Sequence, residues 1–226
     1  APIWPASDAP ADSGAAKLFD ALWNGMFIES MLLGRYPVDL ALANLARNVA
    51  PKVLNADAGL MDVIGPDHRP RDPTAPLRVV VIAHIFYDEM TDEILDRADT
   101  LPAEYDLVVT TPDADRAERI EERIAARGAR RGTVSVRVVA SNDGRDQSAF
   151  LVGCRDILLS GAYDIVVKLH SKKTPQDGFN VGTHFREQQF SNLLSDADHT
   201  SRVLALFQKE PGLGLAFPPM IHIGYP

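Results

Sequence analysis

The sequence predicts an α/β fold, in which a mostly parallel sheet carries helices on both faces and a small helical segment precedes it. From residue 77 onward, short apolar runs alternate with amphipathic stretches of about a dozen residues, the pattern of strands and helices in a parallel sheet. The first run is almost unbroken in its apolar residues, as in strands that are buried on both faces. Residues 134–173 give a strand, a polar turn, a helix and a second strand, which predicts a right-handed βαβ unit.

Composition limits the class of protein. The chain has 226 residues, 46% of them hydrophobic and 24% charged, enough for one sizeable domain with or without an appendage. Its formal net charge of −8 argues against a general nucleic-acid binder, which normally carries a basic face. Cys154 is the only cysteine, so the sequence contains neither a disulfide framework nor a cysteine-based metal site, and we expect Cys154 to be a small core residue.

The N-terminal part differs from the rest. Apolar residues recur at three- and four-residue spacing over 15–31, which predicts an amphipathic helix, and 40–49 predicts a second one. We therefore expect a helical segment at 1–54, a linker rich in Pro, Gly and Asp at 55–76, and an α/β domain at 77–226. The chain begins without Met and stops soon after a predicted strand, so we expect a fragment or a processed piece.

Each element of the α/β domain follows from local pattern. The strands are runs rich in Val and Ile, and the helices have apolar residues at helical spacing, such as Ile120 and Ile124 before the helix-ending Gly128. We expect the fourth strand to be buried on both faces. In chain order the predicted elements are strand 77–87, helix 88–99, strand 105–111, helix 115–126, strand 134–141, helix 147–159, strand 163–170, helices 184–194 and 201–208, and strand 213–217.

A polar turn joins the third strand to its helix. Gly144 allows a turn that a side chain would disfavour, and Asp146 stands where the helix begins. One interpretation is structural, with Asp146 as the helix N-cap and Asn142 as a turn former. The other is a site for a ribose, a sugar or a phosphate, with the forked guanidinium of Arg145 as a donor.

A cationic cluster lies at the end of the fourth strand: Lys168, His170, Lys172 and Lys173. It is either a solvated loop, with Lys168 paired to a carboxylate, or a site that faces a ligand. A lysine within an apolar strand is uncommon without a partner. Three ammonium groups and an imidazole suit a diphosphate, whose negative charge must be neutralised when it leaves. His84 ends the first strand at the same sheet edge, as a structural residue or as part of this site.

Three segments together resemble the rhamnan synthesis F family of bacterial cell-surface polysaccharide biosynthesis. They are VVVIAHIFY, SNDGRDQSAFL and YDIVVKLHSKK, and their order and spacing agree with the family from about residue 78 to 217. The family more often has Pro where this chain has Ala149, and usually Thr where it has Ser171. The resemblance implies a glycosyltransferase that takes a sugar, commonly rhamnose, from a nucleotide-diphosphate donor. The favoured donor is dTDP-rhamnose, and the acceptor is a growing glycan or a lipid-linked glycan.

A second likeness concerns architecture. GT-A glycosyltransferases have a Rossmann-like sheet in which an Asn-x-Gly turn leads, through a helix, to a strand that ends in an Asp-x-Asp metal site. This chain has the turn, but the equivalent strand ends in Lys168-Leu169-His170. By this analogy we expect cations to stabilise the diphosphate without a metal, although Mg²⁺ or Mn²⁺ stays open. The predicted catalytic residues are Asp146 and His170, and the predicted substrate-binding residues are His84, Asn142, Gly144, Arg145, Lys168, Lys172 and Lys173.

Other functions stay open. The missing Asp-x-Asp pair also fits a non-catalytic module that binds glycan or nucleotide within a larger polysaccharide-assembly protein. A phosphate-binding regulatory domain is a third, weaker alternative. For the enzyme we expect a cytoplasmic location, with or without peripheral attachment to the inner face of the plasma membrane, and other domains of a polysaccharide-synthesis protein as partners. No nucleic-acid partner is expected.

Overall fold

The computed structural model describes residues 47–48, 63–128, 132–139, 143–171, 173 and 179–218, with the backbone alone at 179–182 and 185. The chain divides into two compact units, Ala1–Val63 and Ile64–Pro226. The predicted helical segment at 1–54 lies outside the described residues, apart from 47–48, which are helical. The second unit contains the α/β fold.

Four strands form one sheet in the order β3-β2-β1-β4, and every pair of neighbours is parallel. The prediction of an α/β fold is confirmed. The elements in chain order are β1 (Val79–His84), a 3₁₀ turn (Asp88–Met90), α1 (Thr91–Ala98), β2 (Tyr105–Thr111), α2 (Ala114–Ala126), β3 (Val134–Val138), α3 (Arg145–Leu151), α4 (Arg155–Leu158), β4 (Ile165–His170), α5 (Phe179–Ser191) and α6 (Ala197–Lys209).

Helices cover both faces of the sheet, so the described part of this unit has two cores. β1 is buried along its whole length and contributes alternate residues to each core. The larger core combines odd-numbered residues of β1 with apolar residues of α1, α2 and α6 and with Phe190 of α5. The smaller core contains Val80, Ile82, Val108 and Cys154, with Phe150 of α3 packed against it. The expectation that Cys154 is a core residue is confirmed.

The helix predicted at 147–159 is divided into α3 and α4. The N–H of Gly153 donates to Ser148 O at 3.1 Å, and the N–H of Val152 donates to the same oxygen at 2.9 Å. A bond that reaches five residues back ends the regular α-helical ladder. Gly153 also sits so close to the preceding turn that a Cβ would lie 2.6 Å from Ala149 O. Low helix propensity and this close approach together explain the break.

Two strand predictions at the end of the domain are wrong. Residues 213–217 are not a strand in the structure, and Leu215 and Phe217 are 71% and 55% exposed. Gly212 and Gly214 flank Leu213, and glycine weakens strand formation. Within the described ranges β4 is therefore an edge strand, so it is only partly buried, with Val166 exposed.

The segment before β1 is held against α6. The N–H of Arg71 donates to Ser201 O at 3.0 Å, and the N–H of Asp72 donates to Gln208 Oε1 at 2.8 Å. Residues 64–76 thus belong to the same compact unit as the sheet. As for membrane spans, none of the helices in the described part of the chain combines the length and the hydrophobicity that a crossing needs.

Candidate functional site

The candidate site lies where β1, β2 and β4 end at one edge of the sheet. His84 is in register with Thr110 of β2 on one side and with His170 of β4 on the other. Paired residues of parallel strands share a face. The side chains of His84, Thr110 and His170 therefore form a polar row on the same face of the sheet as the smaller core, next to it at the carboxyl ends of the strands. α3 covers this face, and parallel sheets commonly bind ligands at this edge.

An ion pair joins α3 to β4. Lys168 Nζ lies 2.6 Å from Asp146 Oδ2, and the two side chains are 26% and 21% exposed. Lys168 Nζ also lies 5.8 Å from the ring centroid of Phe150. Asp146 and Phe150 are four residues apart on α3, which puts both on one side of the helix. α3 therefore presents a carboxylate and an aromatic ring to the same ammonium group.

Asp146 is ionised at neutral pH. Burial alone would raise its pKa, but the hydrogen bond from Lys168 and the electrostatic interactions with His170 and Lys168 outweigh burial and keep that pKa below its usual value. His170 Nδ1 lies 4.0 Å from Asp146 Oδ2. The structure thus brings together Asp146, Lys168 and His170, three of the predicted site residues.

His84 is buried beside this cluster. Its Nδ1 is 3.0 Å from Thr110 Oγ1, and burial lowers the pKa of the imidazole, with Lys168 adding to that effect and Asp146 opposing it. The neutral imidazole is therefore the stable form in the folded protein at neutral pH. His84 lies in the predicted place, but its contact with Thr110 also fits a structural histidine.

The turn before α3 differs in detail from the prediction. Gly144, not Asp146, is the N-cap residue, and no side chain caps the helix. The φ of Gly144 is −95°, which any residue can adopt, but a Cβ there would lie 2.6 Å from Ser148 Cβ. The left-handed residue is Arg145, with a φ of 50°. Arg145 is exposed, and no described residue pairs with its guanidinium.

Lys173 has partners of its own. It forms an ion pair with Glu89 of the 3₁₀ turn, and its Nζ lies 5.1 Å from the ring centroid of Tyr87. Two further predicted site residues, Asn142 and Lys172, lie outside the described residues.

Sequence reasoning missed two polar residues of the site, Thr110 and Ser171. Ser171 Oγ accepts hydrogen bonds from the N–H groups of Phe86 at 2.9 Å and Tyr87 at 3.1 Å. Thr110 is fully buried and faces His84. Both residues place a hydroxyl at the end of an apolar strand, and a buried hydroxyl normally has a hydrogen-bond partner. That pattern in the sequence could have indicated a polar contact at this edge of the sheet.

A cavity of about 920 Å³ borders the cluster along β4. Lys168, His170 and Gln147 line the polar part beside the cluster, and Asp164, Arg186, Gln189 and Thr200 are polar lining residues elsewhere in the cavity. Apolar residues of β4, α5, α6 and residues 213–218 line most of the rest. Such a volume is ordinary for a small-molecule site.

The described side chains of the cluster do not form a donor set for a divalent metal. The end of β4 carries Lys168 and His170, whereas Mg²⁺ and Mn²⁺ prefer oxygen ligands, which neither side chain supplies. No group of three or more His, Cys, Asp or Glu side chains within the described ranges could hold a metal ion.

The chain matches the model of a known protein family. A family model described as rhamnan synthesis protein F matches residues 26–226. Neither the curated proteins nor the solved structures include a match to the chain.

Proposed function

Because the chain belongs to the rhamnan synthesis protein F family, we propose that it is a glycosyltransferase of bacterial cell-surface polysaccharide synthesis. It transfers a deoxysugar, rhamnose, from a dTDP-linked donor to a growing glycan or a lipid-linked glycan. It works at the cytoplasmic side, alone or with other domains of a polysaccharide-synthesis protein. Family membership supports the role in polysaccharide synthesis, and the site geometry supports the reaction class.

The observation that carries the proposal is the cluster of Lys168, Asp146 and His170 at the carboxyl edge of a parallel sheet, beside a cavity of about 920 Å³. An ammonium group at this position can donate to a phosphate oxygen and neutralise part of the charge of a leaving diphosphate. Arg145 adds a forked donor that no described residue occupies, one position before Asp146.

The chain's own residues have distinct roles in the transfer. An acceptor hydroxyl forms a bond to the anomeric carbon, while the bond from that carbon to the diphosphate oxygen breaks and the nucleoside diphosphate leaves with the bonding electrons. The proton of the acceptor hydroxyl passes to His170, because an imidazole is the commonest general base. Asp146 has a lowered pKa, so it is a weak base and instead orients Lys168 and His170. Lys168 donates to the departing diphosphate.

Calorimetric titration with dTDP, UDP, GDP and their sugars tests the proposal, with and without Mg²⁺ or EDTA. The variant is Lys168→Ala. The matched control is Lys209→Ala, which removes an exposed lysine of α6 that pairs with Glu210 at 3.3 Å. We expect one nucleotide sugar to bind in EDTA, the Lys168→Ala variant to lose that binding and the control to keep it. Binding that requires the metal would contradict the metal-independent site. A folded protein that binds none of the donors would overturn the transferase.

One observation favours a second candidate, a non-catalytic module that binds glycan or nucleotide. Lys168 and Lys173 each already pair with a carboxylate, Asp146 and Glu89 respectively. Their charge is therefore partly compensated before any diphosphate arrives. Turnover separates the candidates: release of dTDP from dTDP-rhamnose in the presence of acceptor supports the enzyme, whereas donor or glycan binding without turnover supports the module.

A further inference from the structure

We infer that Ser171 is a positioning residue, whose hydroxyl holds the chain that follows β1 against the end of β4 and so fixes His84 and His170 side by side. The inference deepens the proposed function. The role of Ser171 in catalysis rests on the proposed function, whereas the hydrogen bonds of Ser171 do not depend on that function.

Ser171 makes three hydrogen bonds to the chain around His84. Its N–H donates to His84 O at 2.9 Å, and its Oγ accepts from Phe86 N at 2.9 Å and from Tyr87 N at 3.1 Å. The residue is only 6% exposed, so water competes little for these groups. One side chain therefore supplies the acceptor for two consecutive backbone N–H groups.

The hydrogen bonds of Ser171 continue the contact between the two segments of the chain beyond the end of the β1–β4 ladder. His84 and His170 are the last residues of β1 and β4, and they are partners in the parallel register. Beyond them, Phe86 and Tyr87 have no strand partner among the described residues. A part-buried backbone N–H without an acceptor is costly. The hydroxyl of Ser171 removes that cost and turns the chain into the 3₁₀ turn at Asp88–Met90.

The fixed segment also carries two aromatic rings, each of which lies beside a cationic side chain. The guanidinium carbon of Arg116 lies 5.0 Å from the ring centroid of Phe86, and Lys173 lies over Tyr87. Without the bonds of Ser171, the backbone that carries both rings would lose its anchor to β4. His84, two residues before Phe86, would lose part of its fixed position beside His170.

The experiment compares four variants by amide hydrogen exchange and by NMR titration of the imidazole resonances. Ser171→Ala removes the hydroxyl, and Ser171→Thr keeps it. Ser171→Val has the shape of threonine without the hydroxyl, so Thr and Val form a matched pair. The control is Ser160→Ala, because Ser160 Oγ accepts from Ala162 N at 3.0 Å in the loop before the other end of β4.

We expect Ser171→Ala and Ser171→Val to speed exchange at Phe86 and Tyr87 by roughly fivefold or more, the effect of losing one ordinary hydrogen bond at each amide. The imidazole resonances of His84 and His170 should shift in the same two variants. Ser171→Thr should restore wild-type values, and Ser160→Ala should leave both measurements unchanged.

Exchange at Phe86 and Tyr87 that stays at the wild-type rate in Ser171→Ala or Ser171→Val would overturn the inference. So would faster exchange without any change in the two imidazoles, because Ser171 would then only stabilise the loop. If both variants fail to fold, Ser171→Thr decides, since faster exchange with the hydroxyl present would contradict the proposed bonds. None of these measurements needs a donor, so failure of wild type to bind any nucleotide sugar would overturn the proposed function alone.

Discussion

Lys168 of β4 and Asp146 of α3, 22 residues apart in the chain, meet at 2.6 Å at the edge of the sheet. A charged lysine within an apolar strand is costly without a partner, and Asp146 is the partner of Lys168. The same contact also brings a carboxylate to within 4.0 Å of His170. The residue that satisfies the lysine structurally is therefore the same residue that the proposed chemistry uses.

A double-mutant cycle measures this pair. Lys168→Met should lower the free energy of unfolding by about 1–2 kcal/mol, because it leaves a largely buried carboxylate without its charged donor. Asp146→Asn should have an effect of similar size. The double variant should lose less than the sum of the two, with a coupling of about 1 kcal/mol. Urea unfolding at neutral pH provides the measurement.

The exposed pair of Lys209 and Glu210 is the control for this cycle. Their side chains are 3.3 Å apart and solvated, so Lys209→Met should change the unfolding free energy by less than about 0.5 kcal/mol. Strict additivity of the Lys168 and Asp146 substitutions would show that the contact contributes no net energy.

The sequence predicted the fold well where local signals agreed with burial. β2 was predicted at 105–111 and lies at Tyr105–Thr111, because turn residues border its apolar run on both sides. The division of the third helix at Gly153 was missed, since a glycine in a helical pattern does not by itself say that the backbone approaches the preceding turn. Burial of β4 on both faces was wrong, because an apolar run does not reveal whether another strand lies beside it.

The position of His84, Lys168 and His170 at one edge of the sheet was predictable from the sequence, but the contacts of their side chains were not. The rule that strands deliver ligand-binding residues at their carboxyl ends placed His84, Lys168 and His170 at one edge, and the register confirms their neighbourhood. The pairing of Lys168 with Asp146 depends on how α3 lies over the sheet, which short-range pattern does not determine. Ser171 was overlooked because its role lies in backbone N–H groups 84 and 85 residues away.

An ion pair at the amino ends of β1 and β4, between Arg78 and Asp164, should control stability at low pH. Arg78 donates to both carboxylate oxygens of Asp164 and lowers the pKa of that carboxyl from 3.8 to about 2. Since the folded pKa lies below the unfolded value, this stabilisation is complete above about pH 4–5 and disappears as the pH falls through about 2. Asp164→Asn should therefore be less stable than wild type at pH 6, and the difference should vanish near pH 2.

Urea midpoints measured from pH 6 to pH 2 check this prediction. Glu122→Gln is the control, because Glu122 is exposed and has no ion-pair partner among the described residues. It should follow the wild-type pH profile. An Asp164→Asn curve parallel to that of wild type over the whole range would contradict the assigned role of Arg78.

Ion pairs link α1 with α2 and with Arg127 after it, and they should make stability depend on salt. Arg127, just after α2, contacts Asp96 at 2.7 Å and Asp99 at 3.0 Å. Arg127→Gln should lower the unfolding free energy by about 0.5–1 kcal/mol at low salt, and the loss should shrink in about 1 M NaCl, where charges are screened. Arg155→Gln, which removes an exposed arginine without a partner in the described part of the chain, should show neither effect. A loss that is the same at both salt concentrations would mean that Arg127 acts through packing.

The thiol of Cys154 should report on the smaller core, which closes the face below the candidate site. Cys154 is fully buried against Val80, Ile82 and Val108, and burial raises the pKa of its thiol. A buried, protonated thiol reacts only when the structure opens. Because the chain has a single cysteine, a disulfide reagent such as DTNB measures this site alone. We expect labelling of the native protein to be slower than labelling in urea by roughly a hundredfold or more.

Lys168→Met, which loosens the contact between α3 and β4, should speed native labelling, and Lys209→Met should not. Rapid labelling of native wild type would show that α3 and α4 do not seal this core, and the polar row above it would then lack the rigid support that the proposed site requires.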